Sequence, residues 1–123
     1  MLRRKLILAN SLIRLGYGTA GLLRPGVMAP RLVPDTHDRP DVRLYVRGFA
    51  AHQVGVAAVG LASLGRRRLE RPAMALAVAI DALDVVSAAA EGLARGRADR
   101  DTVGGTALSA AGAVTAAAAL RAP

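Results

Sequence analysis

The chain contains no cysteine and no tryptophan, and its aromatic side chains other than histidine are one phenylalanine and two tyrosines. Without cysteine, disulfide bonds, thiol catalysis and thiolate metal sites are excluded. A water-soluble core in a chain of 123 residues usually includes more aromatic side chains, because they bury the most apolar area. Alanine, glycine, valine and leucine have to supply the packing, and this composition favours close helix contacts in lipid.

Negative charge is also scarce, and the formal net charge is +8. The basic residues do not form one stripe interleaved with aromatics, so nucleic-acid binding is not predicted. They cluster at the ends of apolar runs, which is typical of a protein that meets anionic lipid headgroups at the bilayer surface. These clusters are Arg3, Arg4 and Lys5; Arg66, Arg67, Arg68 and Arg71; and Arg95, Arg97 and Arg100.

Four apolar segments of about 18 residues reach the length of a membrane span. None alternates strictly between apolar and polar residues, so strands are not expected. The sequence predicts one all-α domain over residues 1–123, a four-transmembrane-helix bundle in the bacterial cytoplasmic (inner) membrane with both termini in the cytoplasm. The expected helices are about 3–24, 42–65, 72–95 and 101–121, with a proline-rich loop at 25–41.

Helix ends carry expected signals. Pro72 falls at the predicted start of the third helix, where proline is tolerated best. Gly65 and Gly96 lie where the second and third helices should stop. Asp99 and Asp101 precede or open the fourth helix, where negative charge suits the helix dipole. The N-terminus resembles a signal peptide, but polar residues interrupt its apolar region and no cleavage site follows, so we expect a retained first helix.

Two carboxylates, Asp81 and Asp84, interrupt the apolar run from Ala73 to Ala90. At 100° per residue they share one face of a helix, and a polar stripe that includes Arg14 runs along the first helix. Turning the two stripes together would pair Arg14 with Asp81 or Asp84, which makes buried charge tolerable. The predicted polar cluster comprises Asn10, Arg14, Tyr17, Arg47, His52, Asp81 and Asp84.

The role of this cluster stays open between two interpretations. It is structural if the ionic groups fix which helix faces which, and functional if two carboxylates hold one proton between them in a pocket. His52 is a hydrogen-bonded packing residue in the first case and a proton donor or acceptor near Asp84 in the second. No metal-binding spacing surrounds it, and neither a metal nor a cofactor is predicted.

The fourth helix carries a stripe of small residues, Gly105, Ser109 and Gly112. Such stripes let helix backbones approach closely. The stripe serves either the bundle itself or a homodimer.

Two stretches, Ala50-Ala51-His52-Gln53-Val54 and Ile80 to Ser87, resemble an uncharacterised family of small four-helix bacterial membrane proteins. That family reads G-A-R-H-L-x-Q in its second helix and V-D-x-x-H-x-x-S in its third. His52, Asp81 and Ser87 fit, whereas Asp84 replaces a histidine and an alanine replaces an arginine. The resemblance implies a polytopic membrane protein from a high-GC bacterium and no particular activity.

The sequence is therefore interpreted as a small membrane scaffold or accessory protein with a buried Arg/Asp/His network. One alternative is a proton- or cation-coupled transporter that uses Asp81 or Asp84. Another is a membrane-embedded isomerase, cyclase or hydrolase that acts on an apolar substrate with the aspartates as acid and base. Enzymatic activity is the less favoured expectation.

Overall fold

The computed structural model describes residues 1–123 and contains five helices and no strand. The all-α prediction is confirmed. The helices are α1 (Leu2–Leu23), α2 (Pro25–Leu32), α3 (Pro40–Ser63), α4 (Arg67–Ala94) and α5 (Arg100–Arg121).

The short helix α2 corrects the prediction of an extended loop over residues 25–41. Pro25 and Pro40 occupy the first turns of α2 and α3, where a missing backbone N–H leaves no hydrogen bond unmade. The prolines therefore start helices here instead of only breaking them. Helix α4 also begins earlier than predicted, at Arg67, so that Pro72 lies inside it.

The four long helices run up and down in one bundle. Helix α1 packs against α3, and α4 packs against α5, while α1 also contacts α5 and α3 contacts α4. Helices α1 and α3 are antiparallel, because Gly21 lies against Ala50 whereas Gly60 lies against Ser11. Helices α1 and α4 run in the same direction, and Arg4 donates to Glu70 over 2.9 Å near their starts.

Three helices, Leu2–Leu23, Arg67–Ala94 and Arg100–Arg121, are long and apolar enough to cross a membrane. By this criterion the expected count of four spanning helices is too high by one, because α3 does not qualify. The physical reason is the polar content of α3: Arg47, His52 and Gln53 interrupt its apolar sequence.

The core is built from small side chains. One cluster of buried apolar side chains joins all four long helices, and a smaller one packs α2 against the first half of α3. Alanine dominates the larger cluster, as expected for a chain with few aromatics. Its buried members are Ile7, Val56, Ala73, Met74, Ala77, Ala116 and Ala119.

Helix α4 ends as the sequence predicts. Gly96 adopts a positive φ of 66°, a conformation that glycine reaches without strain. The N–H of Gly96 donates to the Leu93 carbonyl over 3.0 Å, and the N–H of Arg97 donates to the Gly92 carbonyl over 3.1 Å. This Schellman pattern satisfies the last carbonyls of α4 and turns the chain towards α5.

Asp99 caps α5, in agreement with its position in the sequence. Its carboxylate accepts hydrogen bonds from the Thr102 backbone N–H over 2.9 Å and from the Thr102 hydroxyl over 2.7 Å. These bonds, with help from Arg95, lower the pKa of Asp99 from 3.8 to about 2. Because the pKa is lower in the folded state, the carboxylate stabilises the fold fully above about pH 4. That contribution is lost as the pH falls towards 2.

We expect Asp99→Asn to lower the thermal unfolding midpoint at pH 7, because it removes the charge but keeps a capping side chain. The difference from wild type should shrink between pH 4 and pH 2, where the native carboxylate becomes protonated. Thermal melts in a non-ionic detergent across pH 2 to 7 measure it. A difference that is the same at every pH would contradict this interpretation.

The proline-rich segment is tied to α5 through Asp101, which is 8 % exposed. Its two carboxylate oxygens accept hydrogen bonds from the Asp35 backbone N–H and from the Thr36 hydroxyl, each over 2.7 Å. Charge-assisted bonds of this kind contribute more than neutral ones. Asp101 therefore holds the turn after α2 against the bundle.

Replacing Asp101 with alanine should free this turn. Two charge-assisted bonds are lost, each of which contributes about 1.5–3 kcal/mol, so local opening should increase about tenfold or more. Hydrogen–deuterium exchange of the backbone amides of residues 35–39, measured by mass spectrometry, reports this opening. Asp38→Ala is the matched control, because Asp38 lies in the same turn and makes no bond to α5. Equal exchange rates in the two variants would show that Asp101 does not hold the turn.

Candidate functional site

Arg14 occupies the centre of the bundle and is only 1 % exposed. Its Nε donates to Asn10 Oδ1 over 2.9 Å, one turn earlier on α1. Its two terminal nitrogens donate to Gln53 Oε1 on α3 and to Asp81 Oδ2 on α4. A single guanidinium thus joins three helices, because its planar fork presents donors in several directions at once.

Asp81 provides the opposite charge and is equally buried. Helix α5 passes directly over the ion pair at Gly112. A Cβ atom at this position would lie 2.6 Å from Asp81 Oδ2 and 2.9 Å from an Arg14 terminal nitrogen. The absent side chain leaves the space that the ion pair occupies. Asn10 adds a second link to α5 through a 2.7 Å hydrogen bond from its Nδ2 to Thr115 Oγ1.

Gln53 carries the network from the ion pair to the rim. Its Oε1 accepts from Arg14 and also from the Tyr17 hydroxyl over 2.9 Å. These two donors fix the orientation of the amide, so that its Nε2 points away from Arg14 and lies 3.0 Å from His52 Nε2. An amide nitrogen can only donate. His52 Nε2 is therefore the acceptor in this arrangement, and the ring proton lies on Nδ1.

Asp84 lies one turn beyond Asp81 on α4, with its Oδ2 3.3 Å from His52 Nε2. The lone pair of that nitrogen already accepts from Gln53, so it does not donate to the carboxylate. Asp84 Oδ2 is buried and has no hydrogen-bond donor. Asp81 and Asp84 thus differ sharply: the first is bound by a guanidinium, and the second lacks any donor to this oxygen.

A groove of about 970 Å³ opens beside Asp84, between α3 and α4 with the first half of α5 as a further wall, and extends to the turn after α2. Phe49 forms one wall, with its ring centroid 5.1 Å from the His52 ring in an edge-on arrangement. Phe49 also stacks on Tyr17 at 6.3 Å. The inner end of the groove is lined by Tyr45, Phe49, His52, Asp84 and Ser87.

The acidic groups at the outer end of the groove have partners. Arg39 donates to Asp41 over 2.8 Å, and Arg95 donates to Glu91 over 2.7 Å. Asp101, also at this end, is held by the turn after α2. Among the carboxylates that line the groove, Asp84 alone has neither a guanidinium nor a backbone N–H beside it.

Six of the seven residues of the predicted cluster lie together in the structure: Asn10, Arg14, Tyr17, His52, Asp81 and Asp84. Arg47 does not join them. It is exposed and makes no side-chain hydrogen bond or ion pair, because it lies about 140° around α3 from His52. Of the two aspartates that the sequence offers to Arg14, Asp81 is the one that pairs with it.

Sequence reasoning missed Gln53 as the link between the ion pair and the groove. Its position next to His52 in an apolar run is a signal for a buried polar role. Two residues of the small-residue stripe on α5 pack against other helices of the same chain: Ser109 is buried, and Gly112 lies against Arg14 and Asp81. A Cβ atom at Gly105 would have no neighbour within 4 Å, and the homodimer remains a prediction. No group of three His, Asp or Glu side chains converges to hold a metal ion.

Comparison of the chain with family models, curated proteins and solved structures finds no match. The resemblance to small four-helix membrane proteins therefore stays a prediction. Any function has to be inferred from the geometry of the Arg14 network and of the groove.

Proposed function

We propose that the protein is a small polytopic membrane scaffold or accessory protein, whose helices are held together by the buried network around Arg14. The observation that carries this proposal is the inverted distribution of side chains. A buried arginine and a buried aspartate lie at the centre, where their charges and hydrogen bonds are matched. Large apolar side chains lie outside. Lipid favours this arrangement, because a charged group there must be paired inside the bundle.

The outer surface supports a lipid environment. Large apolar side chains are exposed along α1 and α4, and two valines are exposed on α5. Lipid chains solvate such side chains well, because the surroundings are as apolar as the side chains themselves. The exposed residues include Leu8, Leu12, Ile13, Leu76, Leu83, Val86, Val103 and Val114.

We propose further that α3 crosses the bilayer as the fourth span. Helix α1 starts beside the end of α5, where Arg3 donates to the Ala122 carbonyl over 2.5 Å. Helix α4 starts at the same end of the bundle. The chain must therefore return between the end of α1 and the start of α4, and α3 makes this return. Its polar Gln53 faces the network, and His52 faces the groove.

The basic clusters agree with this topology. The end of the bundle that holds both termini carries eight lysine and arginine residues, and the opposite end carries seven. Both suit anionic headgroups. We place the first end in the cytoplasm of a bacterium, because four of its arginines lie in the short connection between α3 and α4 and in the first turns of α4.

Single-cysteine labelling tests this topology cleanly, because the native chain has no cysteine. Arg67→Cys and Pro123→Cys should react with a membrane-impermeant maleimide from one face of oriented vesicles. Asp38→Cys and Arg97→Cys should react only from the other face. Labelling of Arg67→Cys and Asp38→Cys from the same face would show that α3 does not cross. Solubility and monodispersity without detergent would overturn the membrane proposal as a whole.

A second candidate, a proton- or cation-coupled transporter, is favoured by one observation. Asp84 Oδ2 has no donor and lies beside the groove. Because Asp81 is bound by Arg14, Asp84 is the carboxylate that would bind the transported cation or proton. Transport predicts a cation-dependent flux in liposomes that Asp84→Asn abolishes, whereas a scaffold predicts no flux in any variant. This geometry does not support an acid–base enzyme that uses both aspartates, because the Asp81 carboxylate already accepts a hydrogen bond from Arg14.

A further inference from the structure

We propose that the groove between α3 and α4 binds a lipophilic organic cation, an ammonium or phosphonium group attached to an apolar body, with Asp84 as its counterion. The site goes beyond the scaffold role and does not require it. It also gives the transport candidate a ligand class, although binding does not require transport. Binding without flux would retain the site and dismiss transport.

Asp84 has no guanidinium partner, unlike Asp81. The Gln53 amide is oriented by Arg14 and Tyr17, and it donates to the nitrogen of His52 that lies nearest Asp84. In this arrangement His52 Nε2 offers no proton to the Asp84 carboxylate. The Asp84 side chain is 28 % exposed, and its Oδ2 has no donor from the protein. A cation in the groove would provide this carboxylate with a partner.

Aromatic side chains line the groove beside Asp84. The Phe49 ring borders the same space as Asp84, and Tyr45 lies one turn earlier on α3. Aromatic faces attract cations through the ring quadrupole, and more so where water is excluded. A carboxylate beside aromatic rings is a combination that fits an organic cation better than a neutral or anionic group.

The depth of Asp84 and the volume of the groove favour an organic cation over a hydrated ion. Asp84 is ten residues from the end of α4, which places it roughly 15 Å along the helix axis from that end. A hydrated ion has to leave its water to reach this depth, whereas an organic cation brings its own apolar surface. A groove of about 970 Å³ lies at the upper end of the range for sites that hold small organic molecules.

Tetraphenylphosphonium is the probe, and tetraphenylborate has nearly the same shape with the opposite charge. We expect the purified protein in neutral detergent to bind radiolabelled tetraphenylphosphonium, and to bind tetraphenylborate, measured in a separate sample, far more weakly. Asp84→Asn should weaken binding at least about tenfold, which corresponds to about 1.4 kcal/mol. Phe49→Leu should weaken it about three- to tenfold.

Asp38→Asn is the control, because it makes the same chemical change on an exposed turn outside the groove and should bind like wild type. Asp84→Glu keeps the charge and should retain binding, so it tests the site even if Asp84→Asn does not fold. Wild-type affinity in Asp84→Asn, or equal binding of both probes, would overturn the proposal. So would equal losses in Asp84→Glu and Asp84→Asn when both variants melt like wild type.

A lipid headgroup amine is a second source of the same chemistry. Repeating the measurement in nanodiscs of phosphatidylglycerol, with and without phosphatidylethanolamine, separates the sources. Displacement of the probe by phosphatidylethanolamine supports the ammonium site and assigns it to a lipid headgroup. Unchanged binding supports the site and assigns it to a free lipophilic cation.

Discussion

Replacing Arg14 with leucine should destabilise the protein more than the loss of any other polar side chain in the network. The variant leaves Asp81 buried without its counterion, and it also removes donors from Asn10 and Gln53. Loss of one partner from a buried ion pair costs about 3–5 kcal/mol. A lower thermal midpoint in detergent, together with lower yield from membranes, is the expected result.

Two further variants make this test specific. Arg47→Leu removes an exposed arginine that has no partner, and we expect its midpoint to stay near that of wild type. The double variant Arg14→Leu, Asp81→Leu removes both charges and should recover part of the lost stability, because an apolar pair can replace a buried ion pair at little net cost. An Arg14→Leu midpoint equal to that of wild type would contradict a stabilising role for the pair.

Gly112→Ala should also destabilise the protein, although it adds only one methyl group. That methyl would lie 2.6 Å from Asp81 Oδ2, which is closer than atoms in contact approach, and 3.1 Å from Asp81 Cγ, which is a tight contact. Helix α5 must move outward, or the ion pair must shift. Overpacking of this kind costs about 1–3 kcal/mol. Thermal melts of the variant in detergent measure the loss.

Gly105→Ala is the matched control on the same helix. A Cβ atom at this position would meet no neighbour within 4 Å, and alanine is a better helix former than glycine by about 1 kcal/mol. We therefore expect Gly105→Ala to be neutral or stabilising, so that two identical substitutions on one helix act in opposite directions. Similar losses in both variants would show that α5 needs glycine for its backbone and not for space at the ion pair.

Helical periodicity explains which part of the fold is predictable. The phase of residues on a single helix follows from 100° per residue, so the sequence places Asp81 and Arg14 on the right faces of α4 and α1. Periodicity does not give the height and rotation of one helix against another. For this reason the sequence places Arg47 with the cluster, although it lies apart in the structure, and only the packing distinguishes Asp81 from Asp84 as the partner of Arg14.

The remaining differences have local causes. Helix α2 escapes prediction because prolines in sequence indicate breaks, although two of them here occupy first helical turns. Gln53 links the ion pair to the groove because Arg14 and Tyr17 of α1 donate to its side chain. These residues are distant from Gln53 in the sequence, so the pattern around Gln53 does not reveal the contact. The close passage of α5 over the ion pair is equally hidden, because a glycine in a small-residue stripe does not indicate which neighbour requires it.

The pairing of Arg14 with Asp81 has a consequence for biogenesis. The two residues are 67 positions apart in the chain, so Arg14 emerges from the ribosome long before its partner. An unpaired arginine at the centre of a spanning helix costs about 2.5–3.5 kcal/mol on insertion. Helix α1 is therefore poorly suited to enter lipid alone. It should be retained by the insertion machinery until α4 has been synthesised, and the two helices should be released into the bilayer together.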